Sequence, residues 1–401
     1  MKKILFIHSG GGIGGAPVSM INLAANLNKK RYNPLIVFSE NGPVEKFSKK
    51  LGLKTLVTPI KSIFFYSRHV KFKFSMLFKF IVYFPSSFWN LQRLINLEKP
   101  DVIYLNTSVL VTAAYIARLN KIPVIWHIRE VPGSFEILRN WHIKQIIGIA
   151  DKVIATSNYV KKYFGNGDNV VCVHNAINYA KFSTVTFETI NETKKAYDIP
   201  EKNFIFCNVG TVQYEKGHYS LLKAAKKIAL KYDNVSFLII AGDISDGYQN
   251  TLNGKIKTIL NIPFSNMSRF KKMIKDENLS SNFIFTGFVQ DIHKLINCSD
   301  VITFLSQKEE GFGRPIIEGM AAGKPIIATN IGPSSEILGS ESGLLIDVGD
   351  IDNLIFSMEK LINNKNLYEK LSTAASKRAL AFFDEDVMEK NIENIIDSTV
   401  F

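Results

Sequence analysis

Short runs of consecutive apolar residues recur along the chain, separated by longer stretches in which apolar positions return every three or four residues. In the first 180 residues the runs are "KILFIH", "YNPLIVFS", "DVIYLN", "IPVIWHI", "KVIATS" and "VVCVHN". After a polar stretch a second series follows: "FIFCNVG", "VSFLIIAG", "NFIFTGFV", "DVITFLS", "KPIIATN" and "SGLLIDVG". Runs without polar alternation suit strands buried on both faces, as in parallel sheets covered by helices. The pattern predicts an α/β protein with two parallel-sheet domains in tandem. The expected boundaries are 1–178 for the first domain, 179–202 for a linker, 203–366 for the second domain and 367–401 for a closing helix. The chain's 401 residues suffice for two cores of ordinary size.

Charge changes the picture of the first half. Residues 1–200 carry 27 Lys/Arg against 11 Asp/Glu, a balance of +16 within a total of +13. From Lys46 to Leu97 there are ten basic residues and no acidic one, and lysines alternate with aromatics in "IKSIFFYSRHVKFKFSMLFKFIVYFPSSFW". This mixture suits a helix lying on anionic lipid, with Lys61, Arg68, Lys71, Lys73 and Lys79 toward the headgroups and Arg129 grouped with them on the acceptor and membrane side. The alternative is a helix pair whose aromatics pack on the sheet while its lysines face water. No nucleic-acid motif accompanies it, so nucleic acid is not an expected partner. The three cysteines, Cys172, Cys207 and Cys298, are scattered, which predicts neither disulfides nor a zinc site. "MKK" and a four-residue apolar run are too short for a signal peptide, and no run reaches membrane-spanning length, so a cytoplasmic location is expected.

Two places carry candidate chemistry. The first is the loop after the opening run, where Gly10, Gly12 and Gly15 satisfy G-x-G-x-x-G between a strand and a helix. Glycines let backbone approach phosphate, and helix N-termini present free N–H groups. Glu40 lies somewhat too far on for the ribose acid of a dinucleotide site, so a dinucleotide site, another phosphate contact and a plain turn all remain open. The second is "EEGFGRPIIEGMAAGKPIIATNIGPSSEI". Glu310 is expected in a loop, Pro315 at the first helical position and Glu318 in the first helical turn; Phe312, Gly313 and Arg314 offer backbone N–H groups. Upstream, "NVGTVQYEKGHY" sets Lys216 before a glycine at a helix start, a natural grip for phosphate.

The ordered series "GTVQYEKG", "AGD", "FTGFVQDI", "EGFGRPIIE" and "GMAAGKPIIAT" resembles the family-four retaining glycosyltransferases of the GT-B fold. "GGAP", "WHIRE" and "VHNAIN" match more loosely in the first half. The resemblance implies two Rossmann-like domains facing a central cleft and a nucleoside-diphosphate sugar as donor, UDP- or GDP-linked. Glu318 would bind ribose hydroxyls and Glu310 the donor sugar; Lys216 would neutralise the pyrophosphate. Gly14 and Gly15 would supply backbone N–H groups to the distal phosphate, backbone at Phe288 would hold the base, and His127 would sit beside the sugar. Thr211 stands where the family has arginine, and a hydroxyl cannot replace a guanidinium fork. Either Arg314 or Arg129 would then supply the second charge.

The resemblance further implies retention of anomeric configuration without a metal or other cofactor. The two Asp-x-Asp-like stretches, "DID" at 350–352 and "DED" at 384–386, read as solvated charge. With the basic first half, it implies an acceptor that is a saccharide or lipid-linked sugar, in surface polysaccharide assembly on the inner membrane face. A dinucleotide-dependent oxidoreductase or epimerase, and a non-catalytic sugar-nucleotide-binding subunit, are the rival readings.

Overall fold

The computed structural model describes residues 1–60, 74–133, 135–242, 265–289 and 291–400. They form two compact units, one of residues 1–176 with 385–401 and one of residues 177–384.

In the first unit, β1 (Lys2–His8), α1 (Gly15–Asn26), β2 (Tyr32–Phe38), α2 (Pro43–Lys50), β3 (Lys54–Val57) and α3 (Phe74–Glu98) come first. They are followed by β4 (Val102–Leu105), α4 (Val111–Leu119), β5 (Val124–Ile128), α5 (Glu136–Ile149), β6 (Lys152–Ala155), α6 (Asn158–Phe164) and β7 (Val170–Cys172). The strands form one parallel sheet in the order β3-β2-β1-β4-β5-β6-β7. One face packs against α3 to α6 around Trp126, Leu105 and Leu91. The other packs against α1, α2 and the helix Glu385–Val400, whose Met388, Ile392 and Ile396 join Phe6, Tyr104 and Ile125. The strand at β3 is absent from the sequence expectation: its four residues begin on an exposed lysine at the sheet edge, too short and too polar to stand out.

Helix α3 runs 25 residues with Pro85 inside it. Proline removes an N–H donor from the ladder, and the hydroxyls of Ser86 and Ser87 donate to the Tyr83 carbonyl nearby.

In the second unit, α7 (Tyr179–Ser183) and α8 (Phe187–Ala196) occupy the stretch expected as linker and belong to this unit's core through Phe182 and Ile190. Then come β8 (Phe204–Val209), α9 (His218–Lys231), β9 (Val235–Ile240), α10 (Asn266–Asp276), β10 (Phe283–Phe285), α11 (His293–Asn297) and β11 (Val301–Phe304). The rest are α12 (Arg314–Ala321), β12 (Ile326–Thr329), α13 (Ser334–Leu338), β13 (Gly343–Ile346), α14 (Ile351–Asn363) and α15 (Lys365–Phe383). All six expected strands form a parallel sheet ordered β10-β9-β8-β11-β12-β13. The expected closing segment divides: α15 packs within the second unit and the following helix within the first. Residues 243–264, in the long polar stretch after "AGD", lie outside the described residues.

Candidate functional site

In open α/β sheets the carboxyl ends of the strands, where loops lead into helix N-termini, are where ligands bind. The second unit gathers its candidates there. After β11 the chain runs through a loop to Gly313, which caps α12 with extended backbone, and the helix begins at Arg314, one residue ahead of Pro315. Glu318 is therefore the fifth helical residue, one residue deeper than expected, and 4% exposed. Its carboxylate accepts from Arg314 Nη2 at 3.0 Å and Nε at 3.2 Å.

After β8, a 3₁₀ turn (Tyr214–Lys216) leads into α9 through Gly217, which has φ +76°. A Cβ there would lie 1.9 Å from the Leu305 carbonyl oxygen, so only glycine fits. The turn is joined to the loop after β11 at further points: Gln307 N–H donates to Glu215 O at 2.7 Å, and Ser306 Oγ lies 3.2 Å from the same carbonyl. Lys216 Nζ therefore sits 2.7 Å from Glu310 Oε2, and Ser306 Oγ donates to Glu310 Oε1 at 2.7 Å. The two cations and two glutamates nominated by the sequence thus pair with one another. Arg314, expected as a free second charge, is instead held by the helical i, i+4 spacing to Glu318.

Thr211 follows Gly210 at the end of β8 and is half-buried. Phe288, after β10, is exposed; its Cβ lies so near Gly242 that a Cβ on that glycine would be 2.9 Å away. Phe312 turns into the core, its ring 6.0 Å from Phe383, leaving only its backbone for a ligand. The acidic stretches are structural rather than merely solvated. Asp350 caps α14 by accepting from Asn353 N, and Asp384 accepts from Tyr179 N.

In the first unit the β1–α1 loop holds the glycines. Gly14 caps α1 and Gly15 is its first residue, so their N–H groups stand at the helix's positive end. Gly11 packs against the neighbouring loop so closely that a Cβ would be 2.5 Å from the Asn41 carbonyl oxygen. Gly11 is not one of the three motif glycines, and a Cβ on Gly10 or Gly12 would meet nothing within 4 Å.

Beneath α1, period-two alternation puts Phe6 and His8, Tyr104 and Asn106, and His127 and Arg129 on one face. Asn106 Nδ2 lies 3.0 Å from His8 Nδ1 and donates to the Ala16 carbonyl in α1 at 3.1 Å. Arg129 donates to Asn106 Oδ1 at 2.9 Å, to Ser19 Oγ at 3.1 Å and to Asn175 Oδ1. Held this way and 8% exposed, Arg129 is no lipid-facing residue, contrary to the expectation. Burial first, and the Arg129 charge second, hold the His127 imidazole well below its ordinary pKa. Burial likewise pushes His8 down to about 4. Tyr104, Asn106, His8 and Ser19 were missed by the sequence reading; alternation along β1 and β4 is the signal that would have found the first three, while Ser19 lies on α1.

Of the basic residues assigned to lipid, Lys61, Arg68, Lys71 and Lys73 lie outside the described residues, and the Lys79 side chain is not described. The apolar part of that expectation is described. Phe78, Ile81, Val82, Pro85 and Trp89 form one exposed stripe along α3, and Ile137 and Trp141 are exposed on α5. Among the described residues no helix is long and apolar enough to cross a membrane.

Comparison with known proteins adds the following. The sequence model described as "Glycosyl transferases group 1" matches residues 189–378, and "Glycosyltransferase Family 4" matches residues 13–181. The chain is 26% identical over 261 residues to the capsular polysaccharide biosynthesis glycosyltransferase CapM of Staphylococcus aureus, covering 63% of this chain and 61% of that one. It is 29% identical over 217 residues to the putative glycosyltransferase EpsD of Bacillus subtilis, covering 53% and 51%. The matched stretch thus spans about half to three-fifths of these curated relatives' length. In fold, it matches Anabaena HepE, solved in complex with UDP, with a TM-score of 0.80, 20% identity and coverage of 99% of this chain and 100% of that one.

Proposed function

Because the chain belongs to the group 1 glycosyltransferases of GT-B fold, we propose that it moves a sugar from a nucleoside-diphosphate sugar, UDP- or GDP-linked, to an acceptor hydroxyl. The observation that carries this reading is the Lys216–Glu310 pair, fixed at the strand ends by the Gly217–Leu305 junction, with Arg314–Glu318 at the start of the next helix.

Breaking the bond between the sugar carbon and the diphosphate oxygen puts negative charge on the leaving group and positive charge on the sugar. Groups fixed in advance where those charges grow lower the barrier. Lys216 exchanges its carboxylate for diphosphate oxygens, which leaves Glu310 for the sugar's hydroxyls. Glu318 accepts from the ribose hydroxyls, and Arg314 holds that carboxylate in place. The acceptor oxygen attacks from the face the diphosphate leaves, and its proton passes to the departing phosphate oxygen. Configuration is retained, and no metal is needed. UDP in the HepE structure supports the uridine form of the donor.

A thermal-shift panel of UDP, GDP, ADP, NAD and NADP on wild type and Glu318→Ala tests the reading. A nucleoside diphosphate that raises Tm in wild type, and much less in the variant, is expected. A response to NAD or NADP alone, indifferent to Glu318, overturns it.

A finer reading concerns the acceptor. Residues 46–150, which hold α3 to α5, contain sixteen Lys/Arg against four Asp/Glu. That charge balance in the sequence, taken with the exposed α3 stripe, supports a lipid-linked saccharide acceptor on an anionic bilayer. Flotation with phosphatidylglycerol-containing vesicles tests it: wild type should float, and Ile81→Glu/Trp89→Glu should stay in solution.

A further inference from the structure

We propose that Ser306 is a positioning residue for Glu310: its hydroxyl keeps hold of the carboxylate when Lys216 turns from that carboxylate to a diphosphate. The diphosphate rests on the function proposed above; the bond between serine and glutamate does not.

One hydrogen decides the arrangement. Ser306 is 2% exposed, and its Oγ lies 2.7 Å from Glu310 Oε1, 3.0 Å from the Lys308 carbonyl oxygen and 3.2 Å from the Glu215 carbonyl oxygen. All three neighbours are acceptors, and a hydroxyl has a single hydrogen to give. The carboxylate is the nearest of them and the charged one, and hydrogen bonds to charged groups are shorter and roughly twice as strong as those between neutral ones. The hydrogen therefore goes to Oε1. The Glu215 carbonyl is already served by the Gln307 N–H at 2.7 Å.

The serine is itself held from behind. Its carbonyl accepts from Thr329 Oγ1 at 2.8 Å, at the end of β12, where the threonine is 1% exposed. Leu305, the residue before it, is seated against Gly217. Ser306 thus belongs to the buried frame of the second unit, whereas Lys216 reaches Glu310 on a long side chain that is 33% exposed.

Among the described residues the Glu310 carboxylate has one partner on each oxygen, Lys216 on Oε2 and Ser306 on Oε1. The first is a flexible cation that a diphosphate can take. The second is a short neutral side chain fixed in place. When Lys216 leaves, Oε2 becomes available to a sugar hydroxyl while Oε1 stays where the serine holds it. The serine bond therefore contributes more in the diphosphate-bound state than in the free one, where the carboxylate also has its ammonium. That difference is readable as affinity.

The test titrates UDP calorimetrically into the full chain as wild type, Ser306→Ala, Glu310→Gln and the double variant. Ser306→Ala should weaken UDP binding about three- to tenfold, a part of what a hydrogen bond to a charged group represents. In the Glu310→Gln background no carboxylate loses its ammonium on binding, so adding Ser306→Ala should change Kd less than about twofold. A serine that merely shaped the loop would weaken both backgrounds alike. If Ser306→Ala fails to fold, Ser306→Cys, which keeps the size of the side chain with only a weak donor, takes its place with the same expectation.

Equal weakening in both backgrounds overturns the proposal, as does no weakening in either. If neither UDP nor GDP binds any of the four proteins, the proposed function is what fails. The Tm losses of Ser306→Ala and Glu310→Ala, measured without ligand, then decide whether the serine holds the glutamate: they should overlap in the double variant, and simple addition overturns the bond.

Discussion

Replacing Glu310 by glutamine should tighten nucleoside-diphosphate binding while abolishing transfer. In the structure Lys216 Nζ and Glu310 Oε2 are 2.7 Å apart, with the two side chains 33% and 20% exposed. Before it can neutralise a diphosphate, the lysine has to leave this carboxylate. Exposed ion pairs are worth about 0–1 kcal/mol, and breaking buried ones costs about 3–5 kcal/mol. A pair exposed to this extent belongs near the lower range, about 1 kcal/mol after solvent screening, which corresponds to about fivefold in Kd. Glu310→Gln keeps the shape and removes the competing charge, so UDP titrated calorimetrically should bind about fivefold more tightly. Lys216→Met removes the cation itself. A hydrogen bond to a charged group contributes about 1.5–3 kcal/mol, so UDP should bind about 10- to 100-fold more weakly. Both variants should lose sugar transfer. If Glu310→Gln weakens UDP binding as much as Lys216→Met does, the two residues hold the diphosphate jointly and the exchange of partners is wrong.

Three further outcomes follow from the same geometry. Gly217→Ala forces a side chain into a left-handed conformation against the Leu305 carbonyl, costing at least about 1–2 kcal/mol; a lower Tm and weakened UDP binding should appear together. Burial pushes His8, His142 and His218 down to about 4. Their unfolded forms protonate near pH 6.5, so the unfolded chain binds more protons between pH 6.5 and 4. Stability should therefore be full above 6.5 and fall with acid by up to about 1.4 kcal/mol per unit per histidine. Urea unfolding at pH 7.5 and 5.0 measures this, and equal stability at both would refute it. Burial and the neighbouring Glu393, Asp386 and Glu385 raise the Glu389 carboxyl to about 7. A raised carboxyl favours the folded state at low pH and loses that advantage as pH rises through 7, so Glu389→Gln should raise Tm at pH 8 and change it little at pH 4.5.

Much of this was legible in the sequence because parallel strands buried on two faces cannot hide their hydrophobicity. Among the described residues, twelve of the thirteen strands announce themselves as apolar runs, and β3, an edge strand opening on Lys54, does not. Residue types at the strand ends were legible for the same reason: Lys216, Glu310 and Glu318 follow apolar runs at loop and helix starts. What the sequence could not show was who pairs with whom. Arg314 was read as a free charge, yet helical spacing returns it to Glu318. Arg129 is grouped by its charge with the acceptor-side residues or as a second cation for the diphosphate, whereas Asn106, Ser19 and Asn175, far apart in the chain, together make its burial tolerable. Phe312 is nominated for its backbone N–H alone, and the burial of its ring beside Phe383 was not legible from its neighbours in sequence.

The alternation along β5 bears on how such a protein can be altered. His127 and Arg129 reach the α1 face because Trp126 and Ile128 take the opposite one. Deleting one residue within this strand would exchange the two sets, driving the tryptophan under the glycine loop and the two nitrogenous side chains in among α3 to α6. The loops around Thr211 and Phe288 carry no such parity. Those loops are thus open to drift in length and sequence, while β5 is held to an even count.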